Sequence, residues 1–351
     1  MIVMALDHVR DFFHSQSMKF QPEDLTRATT ALFLTRWITH FCAPVFVFTA
    51  GLGAYFLLRR GRSKAELSRF LWTRGLWLVF LELTVVNFGI LLASAPKVYI
   101  LEVIWVLGVS MIALAALIHL PVHVLAVLSL AVIALHNLAD PVQGGGLWNV
   151  LHRQGALPLG PFTIFVAYPL VPWVAVMAAG YCFGHIFDQG RARRIGFALT
   201  AGFIALRFID LYGNPTLWNG SALSFLNCAK YPPSLDFLLM TLGPALILLS
   251  VLDRPPAMLL TYGRVPLFYF VVHFYFIHAL AKIAAALQLG RMDLLWTLGI
   301  SMAGPARPAE YGFDLWVVYL AWIGVVAAMY PLCKWFGELK RRRTDWWLSY
   351  L

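Results

Sequence analysis

Apolar runs of roughly twenty residues recur along the whole chain, each ending in charge or in Gly and Pro, and no other feature limits the fold so tightly. The runs cover 1–14, 31–58, 75–94, 99–119, 122–138, 163–187, 195–212, 234–252, 265–288 and 314–337. A helix of about twenty residues matches a hydrocarbon layer about 30 Å thick. Covering so much apolar surface in water would need a different composition: 60% of the 351 residues are hydrophobic and 13% are charged, against about 45–50% and about 25% in soluble domains. The expectation is an all-α, polytopic membrane helix bundle of about ten transmembrane helices, built as a single domain over 1–351.

Basic residues alternate with these runs and so give an orientation. One set of loops holds Arg59, Arg60, Arg62, Lys64, Arg69 and Arg74, then Arg191, Arg193 and Arg194, then Arg254 and Arg264. The tail adds Lys334, Lys340, Arg341, Arg342 and Arg343. The opposite loops hold fewer than half as many: Lys19, Arg27, Lys97, Arg153, Lys230, Arg291 and Arg307. The bias toward the cytoplasm puts both termini on that side. The net charge of +10 then follows from juxtamembrane residues beside anionic lipid, and nucleic acid is not an expected partner.

The far-side loops, 15–30, 139–162, 213–233 and 289–313, contain Trp148, Trp218 and Trp296. Trp72, Trp335, Trp346 and Trp347 mark the other interface, and an interfacial belt explains both groups. Cys42, Cys182, Cys228 and Cys333 have no CxxC or Cys–His spacing. There is no HExxH, no phosphate-binding glycine loop and no GxSxG serine, so no metal is expected. His119, His123, His152 and His185 lie at membrane edges or in loops and read as ordinary surface histidines. Met1 opens into apolar sequence without a basic flank, so no secretory signal is read there. Residues 1–13 are too short to span alone, and the first helix is expected to be truncated at its N-terminus.

Ionisable groups within the apolar runs carry the functional signal, because a charge at bilayer depth costs at least about 2.5–3.5 kcal/mol and normally faces the bundle interior. The orientation brings several to one depth, in the outer half of the membrane. His8, Arg10 and Asp11 end the first run, and Arg36 and His40 lie near the start of the second. Glu102 opens the fourth, and Arg207 with Asp210 closes the seventh. His8 and Asp11, at i,i+3, share a helix face, so Asp11 is expected to orient or charge-stabilise the imidazole. Asp7 shares a face with Arg10 and Asp11, and Arg36 with His40 at i,i+4. Arg207 and Asp210 fit a helix-end ion pair better than a substrate contact. His273 lies within the aromatic stretch 268–276, His278 just beyond it, and Lys282 follows.

The string Met4-Ala5-Leu6-Asp7-His8-Val9-Arg10-Asp11-Phe12-Phe13 resembles the opening of a bacterial membrane family related to heparan-α-glucosaminide N-acetyltransferase. So does Thr35-Arg36-Trp37-Ile38-Thr39-His40-Phe41-Cys42-Ala43-Pro44-Val45-Phe46-Val47-Phe48. Asn227-Cys228-Ala229-Lys230-Tyr231-Pro232-Pro233-Ser234, Gly263-Arg264-Val265-Pro266-Leu267-Phe268-Tyr269 and the tail from Asp345 to Leu351 extend the likeness over essentially the whole chain. The family is part of a wider group of transmembrane acyltransferases with a histidine on the first helix. The arginine that precedes this histidine in the wider group would fall before Met1. The resemblance implies a multi-pass protein of the bacterial inner membrane with acetyl-CoA as acyl donor and a glycan or amino-sugar acceptor. His8 and His40 are both candidate counterparts of the active histidine, and Arg264 resembles a family position near the CoA side.

The chemistry needs the same residue types. Acyl transfer from a thioester requires a base for the acceptor proton, which a histidine supplies, and donors for the developing oxyanion, for which Arg36 or Lys230 would serve. Direct transfer and an acyl-histidine intermediate use the same residue and stay open. The candidate catalytic set is therefore His8, Asp11, Arg36 and His40. The candidate substrate-binding set is Asp7, Glu102, Arg207, Asp210, Lys230 and His273, with Arg264 for the cofactor. Expected partners are membrane lipid, acyl-CoA, the acceptor and, in an open oligomeric state, further copies of the chain. Two other readings use the same charges: a transporter or flippase of a polar solute, and a non-catalytic membrane partner.

Overall fold

The computed structural model describes every residue except 95, 253, 254, 344, 346, 347, 349 and 351. Arg254, Trp346, Trp347 and part of the tail string thus lie outside the described residues. In chain order the helices are α1 (Ile2–Phe13), α2 (Thr30–Thr39), α3 (Cys42–Arg59), α4 (Lys64–Leu81), α5 (Asn87–Leu91), α6 (Val103–Leu117), α7 (Val122–Leu135) and α8 (Leu147–Leu151). They continue as α9 (Trp173–Ile186), α10 (Gln189–Ile209), α11 (Ala222–Leu226), α12 (Leu235–Val251), α13 (Ala257–Arg264), α14 (Pro266–Leu289) and α15 (Leu315–Arg342). Three strands, β1 (Val98–Leu101), β2 (Gly155–Leu159) and β3 (Phe162–Val166), form one sheet.

Five stretches are long and apolar enough to cross a membrane: Thr30–Arg59, Lys64–Leu91, Val122–Ala139, Pro266–Leu289 and Leu315–Arg342. Val103–Leu117, Trp173–Ile186 and Leu235–Val251 are apolar but shorter. Of the ten expected crossings, five therefore reach spanning length among the described residues. On α7, Val127, Leu128, Leu130 and Leu135 are half exposed or more. A face this apolar belongs against lipid, and the protein is a helical membrane protein.

Proline explains two departures from the expected runs. The run 31–58 is interrupted at His40 and Phe41, between α2 and α3. Pro44, in the first turn of α3, has no N–H to give to the His40 carbonyl, and its ring crowds that oxygen. The run 163–187 becomes helical only at Trp173, because Pro169 and Pro172 interrupt it, while Thr163, Ile164, Phe165 and Val166 favour a strand. β3 pairs in parallel with β1, Val98 opposite Thr163, and antiparallel with β2, Leu159 opposite Phe162. Gly160, at φ 58°, makes the turn between β2 and β3. The fold is helical with a small sheet and corrects the all-α expectation.

The chain forms two compact units. The first comprises Met1–Thr39, Thr84–Pro96 and Arg254–Leu351. Within it α1 packs against α2, α14 and α15, and α5 against α14. Ala5, Val9 and Phe12 of α1 are buried, as are Tyr269, Phe270 and Ile277 of α14. Pro266 occupies the first turn of α14, where a missing N–H costs nothing.

The second unit comprises His40–Leu83 and Lys97–Asp253. Its main helix pairs are α3 with α9, α4 with α6, and α10 with α12. The pairs cross at glycine. A Cβ on Gly75 of α4 would lie 2.5 Å from the Gly108 carbonyl oxygen of α6, and one on Gly108 would lie 2.7 Å from that of Gly75. Gly196 and Gly243 bring α10 and α12 together in the same way. Between helices in lipid, close backbone approach supplies the dispersion contact that exclusion from water cannot. Glu82 is fully buried at the end of α4. Its carboxylate accepts from the backbone N–H groups of Glu102 (3.1 Å) and Trp105 (3.0 Å), capping α6 from a neighbouring helix.

Candidate functional site

The polar groups of α1 form an ionisable cluster in the first unit. Nδ1 of His8 lies 2.7 Å from Nε2 of His273 on α14. Nδ1 of His273 is 2.9 Å from the Tyr269 carbonyl and 2.6 Å from that of Phe270, so it must carry a proton and donate. With both rings neutral, Nε2 of His273 is then the acceptor and Nδ1–H of His8 the donor. The network assigns the basic lone pair of His8 to Nε2. His273 is fully buried, and His8 is half-buried with its ring against Phe274 at 4.1 Å between centroids. The aromatic stretch of α14 thus clamps one imidazole and leaves the other partly accessible.

Asp7, on the adjacent face of α1, is the hub of an ion network. Its carboxylate accepts from Nη1 of Arg36 at 2.9 and 2.7 Å, from Oγ1 of Thr39 at 2.9 Å and from Nη2 of Arg10 at 3.0 Å. Nε of Arg36 donates to Glu23 at 2.8 Å. Arg36 and Arg10 are both buried. Asp11 does not take the part expected of it: its carboxylate receives Nη2 of Arg10 at 2.6 Å, and the group that orients His8 is His273. The i,i+3 spacing is real, but the Asp11 carboxylate is engaged by the neighbouring Arg10 guanidinium.

A cleft of about 330 Å³ opens beside the C-terminal end of α1, with Arg10, Asp11, His14, Gln16, Lys19 and Leu32 among its lining residues. Nη1 of Arg10 is buried there without a hydrogen-bond partner among the described residues. Arg307 closes off the helix end. Its Nη1 donates to the Asp11 carbonyl (3.2 Å) and its Nη2 to those of His14 (2.9 Å) and Tyr311 (3.0 Å). A cation on the last carbonyls satisfies groups the helix cannot and complements its dipole. Burial lowers the Arg307 pKa from its ordinary value, with Tyr311 and Asp11 acting in the opposite direction.

The other expected residues each have their own surroundings within their unit. His40 belongs to the second unit, fully buried with its ring 5.2 Å from that of Phe237. The break before α3 removes the continuous helix on which it was to share a face with Arg36. Glu102 caps α6 through its backbone, on the Glu82 carboxylate. Arg207 is fully buried and binds Asp210 (2.9 Å) and the carbonyls of Thr216 (2.9 Å), Ser224 (2.8 Å) and Phe225 (3.2 Å). Asp210 also accepts from the Trp218 N–H at 2.6 Å. This pair is a clamp on the following loop, as its spacing suggests. Lys230 is buried with Nζ 5.7 Å from the ring centre of Tyr168 and 5.1 Å from that of Tyr231. It has no ion-pair partner among the described residues. Arg264 is exposed in the last turn of α13.

Sequence reasoning missed Glu23, Thr39 and Arg307, which act through contacts that local spacing cannot reveal. It also passed over His136. No metal is expected from the sequence, and His152 reads there as an ordinary loop histidine. The structure buries both rings beside Asp140.

The family model described as "Heparan-alpha-glucosaminide N-acetyltransferase, catalytic" matches residues 1–219. The match spans α1 and α2 with His8, Asp7 and Arg36, and ends before His273. No curated protein matches the chain.

Proposed function

The chain belongs to the heparan-α-glucosaminide N-acetyltransferase catalytic family, and on that premise we propose that it is a membrane-embedded acetyltransferase with Nε2 of His8 as its base. The donor is acetyl-CoA, and the acceptor is an amine or hydroxyl of a glycan-type molecule at the periplasmic side of a bacterial inner membrane. The chain crosses that membrane about ten times with both termini in the cytoplasm. The observation that carries the catalytic reading is the His8–His273 contact, which presents one defined lone pair at a half-buried position.

In this reading the acceptor nitrogen or oxygen attacks the thioester carbonyl while its proton passes to Nε2 of His8. Collapse of the tetrahedral species breaks the C–S bond, and the departing thiolate recovers the proton from the imidazolium. His273 holds the ring in one tautomer throughout. The cleft of about 330 Å³ beside Arg10 and Asp11 is lined by residues beyond His8 on α1 and not by His8 itself, so in this reading it holds the part of the acceptor remote from the reacting group. Asp7 and Arg36 fix the wall of α1 that carries His8. Arg264, exposed at a helix end with a basic side chain, suits the phosphates of CoA.

The test uses the full chain in lipid nanodiscs with radiolabelled acetyl-CoA and a panel of amino-sugar and sugar acceptors. The expected result is acetylated acceptor together with free CoA thiol. His8→Ala should lower the rate by ~10²–10⁴-fold, the usual loss on removing a general base. His8→Gln, which keeps a hydrogen bond but exchanges no proton near neutral pH, should be nearly as inactive. If folded His8→Ala protein transfers acetyl at the parent rate, the assignment is wrong and His40 is next. A transporter would move solute with no dependence on acetyl-CoA.

A further inference from the structure

The second unit holds a second cluster of chemistry-bearing side chains that the acetyl-transfer reading does not use. His136 opens the single helical turn His136–Ala139 that extends α7, Asp140 follows that turn, and His152 ends α8. One ligand atom from each lies within 4.8 Å of the other two. Nε2 of His152 is 3.0 Å from Oδ1 of Asp140, and the rings of His136 and His152 are 5.5 Å apart between centroids. His136 is 6% exposed and His152 3%. Both ring nitrogens of His136, and Nδ1 of His152, are buried without a hydrogen-bond partner among the described residues.

An ion pair between His152 and Asp140 would account for two of these residues and leave His136 unexplained. An imidazole buried with both nitrogens unsatisfied is a costly arrangement unless something else accepts its lone pair. We propose that His136, Asp140 and His152 bind a divalent transition-metal ion, with zinc the best match to two imidazoles and one carboxylate. Two nitrogens and an oxygen are the borderline donors such ions prefer, and three protein ligands with one open position are a common zinc arrangement.

The geometry is close to what coordination requires. Bonds of ~2.0–2.1 Å in a tetrahedron set ligand atoms ~3.3 Å apart. The His152–Asp140 pair already stands near that spacing at 3.0 Å, and a ring nitrogen of His136 lies within 4.8 Å of both ligand atoms. The carboxylate is also held from behind. Nδ2 of Asn137 donates to Oδ2 of Asp140 at 2.8 Å, while Oδ1 of Asn137 accepts from the Leu235 N–H at 2.9 Å. Asp140 is therefore oriented by its second oxygen and presents Oδ1 to the site, the support that metal-binding carboxylates characteristically have. The Asp140 side chain is 23% exposed, which places the fourth position toward solvent for a water. Bound there, the ion closes the glycine-rich segment 141–151 into a fixed loop and limits its freedom.

The test is done on the full-length protein in detergent, stripped with a chelator and titrated with Co²⁺. The expected outcome is a single Co²⁺ per chain with the intense visible absorption of a tetrahedral ion, displaced by Zn²⁺, and a melting midpoint that rises with Zn²⁺. His136→Gln and His152→Gln should each lose the visible band and the Zn²⁺-dependent rise, while melting in chelator at the parent temperature. Asp140→Asn should weaken Co²⁺ affinity by ten-fold or more. A parent chain that shows neither the band nor the rise overturns the proposal, whatever the variants do. So does a band that persists unchanged in both histidine variants.

Discussion

His8 and His273 are joined through Nδ1 and Nε2 at 2.7 Å although 265 positions separate them in the chain. Because the backbone carbonyls of Tyr269 and Phe270 fix the proton on Nδ1 of His273, that residue acts on His8 as a positioning acceptor. His273→Ala is expected to lower kcat by about 10–100-fold, as loss of a group that orients a functional imidazole does, with KM for acetyl-CoA unchanged. His273→Gln offers a side-chain oxygen to Nδ1–H of His8 and should recover most of the rate. Steady-state kinetics of the two variants separate positioning from mere packing, since a packing role would not be rescued by glutamine.

Asp7 neutralises two buried guanidinium groups, so its removal is a question of stability before it is one of rate. Asp7→Asn leaves Arg10 with Asp11 and Arg36 with Glu23, and should lower stability by less than the about 3–5 kcal/mol of a buried charge left wholly unpaired. Arg36→Ala leaves Asp7 with Arg10 and Thr39, and is expected to stay inserted while losing turnover. Thermal melting in detergent distinguishes the two. An Asp7→Asn protein that melts with the parent would show that the network contributes nothing to the fold.

Asp11 has a partly exposed carboxylate paired with its buried chain neighbour Arg10, which keeps Asp7 as a second counterion. Asp11→Asn should therefore keep kcat within about threefold of the parent, far from the loss expected on removing a group that orients the base. A deep loss of kcat with unchanged melting would return Asp11 to the imidazole and displace His273 as its partner.

The basic residues of 59–74 and the tail predict one side of the membrane, and the glycine segment 144–146 the other. Single cysteines placed at 61, 145 and 348 in a chain cleared of its own four should be labelled accordingly by an impermeant thiol reagent in intact cells. Only the one at 145 is expected to react. Labelling at 61 or 348 would reverse the orientation and with it the periplasmic side assigned to the acceptor.

Much of the fold was legible because apolar length and charge are written locally. Pro44 and the prolines at 169 and 172 were visible too, yet their effect on runs 31–58 and 163–187 depends on which carbonyl each ring meets. The site was legible only in part. His8, Asp7 and Arg36 stand out as charges in apolar sequence. Their partners were chosen by packing between distant segments, so the i,i+3 rule offered Asp11 to His8 where the fold supplied His273. Glu82 is an acid inside an apolar run, and only the arrival of the start of α6 turns it into a cap. His136, at the end of an apolar run, carried no spacing signal, since its partner His152 comes from beyond a glycine-rich segment.

The clamp around Arg207 has an implication for how this protein can change. Apart from Asp210, the partners of its guanidinium among the described residues are main-chain oxygens, those of residues 216, 224 and 225. Every amino acid offers the same oxygen, so the path of that loop is specified without specifying its letters. The outward-facing side chains there are open to drift, and a lineage could retune what the loop presents to its surroundings while one arginine preserves its course.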